Sequence, residues 1–302
     1  MKLPFVDLRL WRQFAAVADE LHFGRAAARL HMTQPPLTQA IAHLEKELGV
    51  SLFDRTKRSV QLTRAGAALL PQALDLLARA QALPAQARAA AAGEVGRLRL
   101  AFVSTSGYSL LPPWVRAFRQ RYPAVQLDLF EATADVQLQA LAQGQMDAGL
   151  MLHSPGFSVP GLARQRVARE AMLLALPEHH PLAQSTRLPL DRVLDEPLVI
   201  FPRRILPSLH DAILAIYRDA DREPQVAQEA IQMQTIVNLV SAGLGVAWVP
   251  DSVREFQRSG VVYKPVAFKK ARPAPVAETS LVWPAARTAP TLARFLEFAP
   301  IV

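Results

Sequence analysis

Three changes of pattern along the 302 residues predict, in order, a small mainly α module, one long helix and an α/β region. Up to residue 48 apolar side chains recur at helical spacing, and two short strand-like pieces around a basic turn follow. Residues 64–92 are rich in Ala and Leu and almost free of turn signals. Beyond residue 95, short apolar runs alternate with helical segments, as in mostly parallel sheets covered by helices.

Leu8, Trp11, Phe14, Ala15, Ala18 and Leu21 predict a first amphipathic helix, and Phe23, Ala26, Ala27 and Leu30 a shorter second one. "HMT" breaks the pattern. A third helix places Leu37, Ile41, Leu44 and Leu48 on one face and stops at Gly49. Pro35 and Pro36 stand at its start, although a proline inside a helix costs about 3 kcal/mol. With Thr33 as N-cap, Gln34, Pro35 and Pro36 fill the first turn, whose N–H groups have no intrahelical acceptor. An N-cap oxygen normally accepts from the second or third helical N–H. Both of those residues are prolines here, so the Thr33 hydroxyl is expected to lack a capping partner. "SLFDRTKRSVQLT" then supplies strands at Leu52-Phe53 and Val60 to Leu62 around a basic turn. Three helices and a basic hairpin predict a winged helix-turn-helix.

In the long helix, Leu69, Leu70, Ala73, Leu74, Leu76, Leu77, Ala80 and Leu83 make an apolar surface too wide for an unpaired helix. Pro71 and Pro84 are expected to bend or interrupt it, and "AAGEVG" at 91–96 reads as a hinge. Strands are then expected at "RLRLAFV", "VQLDLF", "DAGLML", "AMLLALP", "PLVIF" and "GVAWVP". Helices are expected at "LLPPWVRAFRQRYP", "VQLQALAQGQ", "LHDAILAIYRDA" and "QMQTIVNLVSAG".

The net charge of +8 is unevenly placed: residues 1–64 carry ten Lys and Arg against six Asp and Glu. A polyanion-binding module would concentrate charge in this way. Cysteine is absent, which excludes disulfides and thiolate metal sites. Asp7, Arg9 and Arg12 interrupt any signal-peptide run, and no uncharged apolar stretch reaches the ~20 residues of a membrane span. The expected compartment is the cytoplasm, with no membrane partner. Histidines are scattered; the one adjacent pair, His179-His180, precedes Pro181. HExxH, GxSxG and GxxxxGK motifs do not occur, so no enzyme, metal site or cofactor is expected.

With these elements in place, the chain resembles the LysR-type transcriptional regulators along essentially its whole length. The carrying residues are "AAARLHMTQPPLTQAIAHLEKELGVSLFDRTKRSVQLTRAG", then "LRLAFV", "LLPPWVRAFRQRYP", "ALAQGQMDAGL", "HHPL", "LVIFP" and "LVSAGLGVAWVP". The "QPPL" and "FP" variants resemble most the subgroup regulating aromatic-compound degradation, the benzoate, catechol and chlorocatechol regulators. The resemblance implies a winged helix-turn-helix over 1–63, a linker and dimerisation helix over 64–92, and a two-lobed effector domain over 93–302. That domain would be periplasmic-binding-protein-like, with lobe I at 95–165 and 266–302 and lobe II at 166–265. Implied partners are double-stranded DNA at an interrupted palindromic operator, a small-molecule effector, RNA polymerase as a further candidate, and other copies of the chain in a tetramer built as a dimer of dimers.

On the third helix, burial of the apolar face turns Thr38, Gln39, Ala42, His43 and Lys46 outward. Gln reads adenine with two hydrogen bonds and Thr contacts phosphate or a thymine methyl. Thr33, Gln34, Pro35, Pro36, Thr38, Gln39 and His43 are therefore expected at DNA, Gln39 standing where several relatives carry Arg. Arg55, Lys57 and Arg58 on the hairpin are expected at phosphates or the adjacent minor groove, Arg58 matching a position with that role in relatives.

For the effector, Ser104 and Thr105 stand at a strand end, where hydroxyls and helix N–H groups hold anions, and Thr105 matches the carboxylate-holding hydroxyl of relatives. Thr133 is a further candidate, although the family's threonine aligns nearer Ala134; Pro202, Arg203, Pro207, Ser208 and Leu209 align with a pocket-lining segment. Leu152 and Ala168 replace the arginines of muconate-responsive relatives, which disfavours a clamped dicarboxylate unless Arg203 or Arg204 turns inward. A mono-acid or mostly apolar aromatic effector is expected. A cytoplasmic binding protein without promoter function, or an enzyme, are the competing readings; a shift of upstream DNA on a gel distinguishes the regulator from both.

Overall fold

The computed structural model describes residues 6–56, 59–268 and 274–299, in two compact units, Met1–Arg88 and Ala89–Val302. In the first unit, α1 (Leu8–Glu20), α2 (Phe23–Arg29) and α3 (Gln34–Leu48) pack around Phe14, Val17, Ala26, Leu37, Ile41, Leu44 and Leu52, all buried. Asp7 caps α1 by accepting from the Arg9 amide (2.8 Å), and His22 caps α2 from the Arg25 amide (3.2 Å). Gly49 closes α3 in the left-handed conformation, at φ 71°. The antiparallel hairpin β1 (Phe53–Arg55) and β2 (Val60–Leu62) pairs Phe53 with Leu62.

Helix α4 (Arg64–Ala91) begins beside the hairpin: the Thr63 hydroxyl accepts from the Gly66 amide (3.0 Å) and donates to the Ser51 carbonyl (2.7 Å). Pro71 and Pro84 lie inside this one helix, so of the two expected effects, bending or interruption, they do not interrupt it. Both prolines are exposed, and each removes a helical hydrogen bond without ending the helix. Leu74, Leu76 and Leu83 stay exposed by 51, 43 and 61 %.

The second unit holds β3 (Gly96–Phe102), α5 (Leu111–Arg121), β4 (Val125–Glu131), α6 (Ala134–Ala142), β5 (Ala148–His153) and β6 (Leu162–Pro177). It continues with β7 (Leu188–Pro189), α7 (Leu190–Val193), β8 (Leu198–Ile200), α8 (Pro207–Arg218), β9 (Val226–Glu229), α9 (Met233–Ser241) and β10 (Ala247–Pro250). β11 (Val261–Lys264), β12 (Val266–Ala267), β13 (Val276–Pro284) and α10 (Pro290–Leu296) complete it. The main sheet runs β10-β6-β13-β5-β3-β4, with β11 also on β6.

Two expectations are corrected here. The sheet is mixed rather than mostly parallel: β4, β3 and β5 are parallel, while β13 runs antiparallel to both β5 and β6. The strand expected at 171–177 starts nine residues earlier, at Leu162. Its first part, with exposed Arg164, Arg166 and Arg169 between less exposed residues, reads as polar surface until β13 is known to lie beside it. Its apolar end pairs instead with β10 and β11.

β6 therefore runs from one core to another. One gathers Leu98, Leu100, Trp114, Phe118, Leu150, Leu281 and Phe295, and the other Leu174, Ile200, Leu209, Ile213, Val237 and Trp248. Where β5 ends, His153 is buried and stacked on Phe157, with centroids 4.5 Å apart. Its Nδ1 donates to the Ser154 carbonyl, which can only accept, and its Nε2 therefore accepts from the Ser280 hydroxyl; both contacts are 2.8 Å. Burial pushes the His153 pKa down.

Candidate functional site

The start of α3 is an exposed polar tip. Thr33 is its N-cap, extended at φ −84° and ψ 156°, and its side chain makes no capping bond, as the two prolines predict. Thr33, Gln34, Pro35, Pro36, Gln39 and His43 are all exposed, while Leu37, Ile41 and Leu44 are buried. Thr38 is only half-exposed, and its hydroxyl donates back to the Gln34 carbonyl (3.1 Å), so less of it faces outward than the helical spacing suggests.

Arg55, expected at phosphates or the adjacent minor groove, is exposed and ion-paired within the module. Its guanidinium donates to Glu45 Oε2 (2.7 Å) and lies 4.9 Å over the Phe23 ring, fixing it against the body of the module. Lys57 and Arg58 lie outside the described residues. Glu45, which sequence reasoning missed, fastens α3 to β1: its Oε1 accepts from the Leu52 and Phe53 amides at 2.8 and 3.1 Å. Sequence leaves no distinct trace of this, because Glu45 and Glu47 flank Lys46 at the end of the helix and only the fold separates their roles.

In the second unit, a cavity of about 50 Å³ opens at the C-terminal ends of parallel strands. This is where ligands bind in open α/β sheets. Val103, Ser104 and Thr105 follow β3, Thr133 and Ala134 begin α6, and Leu152 comes from β5. Phe201, Ile205 and Leu206 follow β8 and lead into α8, and Ile231, Gln232 and Met233 lead into α9. Thr105 is 5 % exposed, and its hydroxyl oxygen is buried with no hydrogen-bond partner. Thr133 donates to the Asp135 carboxylate instead of capping α6.

Of the residues singled out from sequence, Ser104, Thr105 and Thr133 thus meet at this cavity. The 202–209 segment contributes different members from those expected. It turns before α8, and the turn presents Phe201, Ile205 and Leu206. Pro202 and Pro207 do not line the cavity, Leu209 is wholly buried in the core, and the Ser208 hydroxyl accepts from the Ser154 amide (3.2 Å). Arg203 is drawn away by Asp211, to which it donates two hydrogen bonds of 2.8 Å, and Arg204 is exposed outside the lining. The guanidinium holds the Asp211 carboxyl at about 2, below the ordinary carboxylate range. No ionisable side chain lines the cavity.

Comparison with known proteins now bears on this pairing of a helix-turn-helix with a ligand cleft. Residues 8–67 match the bacterial regulatory helix-turn-helix protein, lysR family, and residues 91–300 match the LysR substrate binding domain. The chain belongs to the LysR family of transcriptional regulators. Among its LysR-family relatives, the HTH-type transcriptional regulator IlvR of Caulobacter vibrioides is 46 % identical over 290 residues, 95 % of each chain. The HTH-type transcriptional regulator AlsR of Bacillus subtilis is 38 % identical over 259 residues, covering 86 % of this chain and 85 % of AlsR. The crystal structure of full-length CbnR complexed with target DNA superposes at a TM-score of 0.82 and 29 % identity, covering 97 % of this chain and 98 % of that one. Within the LysR framework, α1 to α3 with the hairpin form the helix-turn-helix module and the cavity lies in the effector domain. No helix among the described residues is long and apolar enough to cross a membrane.

Proposed function

We propose that this LysR-family regulator reads its operator with the exposed first turn of α3, Thr33 and Gln34 foremost, together with Gln39 and His43 further along, and that a small organic acid in the effector cavity changes how it holds that DNA. The observation that carries the DNA reading is the uncapped Thr33 hydroxyl. It stands at an exposed N-cap before two prolines that have no N–H to donate to it. CbnR, of the same fold, was crystallised on its target DNA, which supports the same use of the module here. Lys57 and Arg58 add phosphate contacts by their place in the hairpin sequence, while Arg55 supports the hairpin from within.

The exposed leucines of α4 support pairing of two chains along that helix, and a tetramer as a dimer of dimers follows from the family's full-length pattern. A ligand regulates by binding one lobe arrangement better than another. The narrower tie to the aromatic-degradation subgroup rests on "QPPL" and "FP", with weak support from likeness to CbnR and a greater identity to IlvR against it.

The test is a footprint on DNA upstream of the protein's own gene, with Gln34→Ala and Gln39→Ala beside wild type. Loss of the wild-type footprint in both, with His179→Ala unchanged, is the expected result. A full footprint from the Gln34→Ala, Gln39→Ala double variant would overturn the assignment of α3.

A further inference from the structure

We propose that the stack of Tyr108 on Phe256 is a latch between the two lobes of the effector domain, made in one lobe arrangement and broken when the lobes turn about β6. This deepens the reading in which lobe arrangement sets how DNA is held. It follows from where the two rings come from, what fixes each of them, and where β6 bends.

The rings belong to different lobes. Tyr108 follows β3, whose Leu98 and Leu100 sit in one core, yet it packs against the other core, that of Leu174 and Trp248. Phe256 ends the 3-10 helix Asp251–Phe256, which follows β10 and Trp248. The ring centroids are 6.0 Å apart and the planes 23° from parallel, within the range of attractive aromatic pairs. Dispersion falls steeply with distance, so a small separation of the lobes removes this attraction.

Each ring is fixed from its own side. The Tyr108 amide donates to the Thr105 carbonyl (3.3 Å) at the end of the 3-10 turn Ser104–Gly107. Its hydroxyl is buried with Ser104 beside it, and burial pushes the phenol up to about 12, so no charge enters the contact. Ser104 and Thr105 line the cavity, which puts the ring one short turn from whatever fills it. On the other side, the Ser252 amide, at the start of the Phe256 helix, donates to the Glu170 carboxylate of β6 (2.7 Å). Gln257 ends that helix at φ 48°, a left-handed conformation uncommon for a residue with a side chain. A helix held at both ends gives Phe256 little freedom to follow a ring that moves away.

β6 supplies the pivot. Against β13 its register slips between the pairs Arg166–Ser280 and Ala168–Thr279, which leaves Val167 as the extra residue of a β-bulge. A bulge interrupts the ladder and lets its strand bend. Glu170, which anchors the Phe256 helix, lies beyond the bulge, on the side of β6 that leads to β10 and β11. Bending at Val167 therefore carries Phe256 with one lobe and leaves Tyr108 with β3 in the other. Neither ring lies on β6 or β13, the strands that join the lobes. A contact across the lobes and off those strands differs between the two arrangements, and such a difference is what biases a switch.

The chain has no cysteine, so spin labels can be attached at Gln143→Cys in one lobe and Gln184→Cys in the other, both exposed positions. Double electron–electron resonance on the full-length protein, with labelled chain in an excess of unlabelled chain, then reads the distance within one copy. Phe256→Leu and Tyr108→Leu keep apolar bulk and lose the stack. Each should raise the population outside the wild-type distance peak by roughly two- to tenfold, the worth of an aromatic pair. The double variant should raise it no further, because both changes remove one contact. Phe256→Tyr should keep the wild-type distribution, and so should Phe298→Leu, which removes a ring contact to Phe118 inside one lobe. Distributions in both single leucine variants that superimpose on wild type would overturn the latch. An equal shift in Phe298→Leu would overturn it too, since any loosened packing would then suffice. If the distances shift while the footprint upstream of the gene, taken without added ligand, stays as in wild type, the latch stands and the reading that lobe arrangement sets DNA contact fails.

Discussion

Replacing Glu45 by Ala should loosen the hairpin of the DNA-reading module without touching any residue assigned to DNA. The Glu45 carboxylate takes the amides of Leu52 and Phe53 through one oxygen and the Arg55 guanidinium through the other. Leu52 and Phe53 are 0 and 4 % exposed, so their freed N–H groups have little access to water. An unsatisfied buried donor costs about 1–3 kcal/mol. Because the Glu45 side chain is itself 15 % exposed, some water reaches the vacated site, and the total for two amides falls at ~2–4 kcal/mol. At 1.36 kcal/mol per tenfold, local opening should become about 30- to 1000-fold more frequent. Native-state hydrogen exchange of the full chain, read at those two amides, measures this directly. Glu45→Gln keeps an acceptor for both amides and should show a much smaller change, and Arg55→Ala should leave the amides protected. Exchange in Glu45→Ala within threefold of wild type would show that the carboxylate does not fasten α3 to β1.

Three further outcomes follow from the same structure. In Gly66→Ala the new Cβ would lie 2.2 Å from the Leu52 carbonyl oxygen, so backbone must move; a loss of about 1–3 kcal/mol in denaturant unfolding is expected. Arg203 holds Asp211 at about 2, so the stability from this pair is full above pH ~4 and disappears as pH falls towards 2. Arg203→Ala should return the Asp211 titration to near ~3.9 by carboxyl carbon NMR. Burial lowers the His153 pKa, so as pH drops through ~6.5 the unfolded chain takes up the proton first and stability declines. The fall in melting temperature between pH 7.5 and 5.5, values bracketing that ~6.5, should be smaller in His153→Asn; an equal fall in both would clear His153 of the effect.

The helix-turn-helix was legible because its information is local. Apolar spacing fixes which faces of α1 to α3 are buried, Gly49 marks an end, and two adjacent prolines are tolerable only in a first turn, which places Thr33. The effector domain was legible where strands are short and apolar on both faces, as in β5 and β10, each buried along its whole length. Elsewhere the information is held by distant partners. The start of β6 is a strand because β13 pairs with it, with Val276 opposite Ala171 and Pro284 opposite Leu162, more than a hundred residues apart in sequence. Long-range pairing of that kind leaves no periodicity to read.

Arg203 shows the same limit at the site. From sequence, an Arg-Arg pair in a cleft segment offers the natural carboxylate clamp, and Asp211 eight residues later is merely another surface acid. Folding places Pro207 at the start of α8, and the turn before it sends Arg203 along the outside of the helix to the Asp211 carboxylate. That single bidentate pair leaves the cavity without a cation. Residue type alone places Arg203 in the cleft; the backbone position of the turn before α8 decides that it lies outside it.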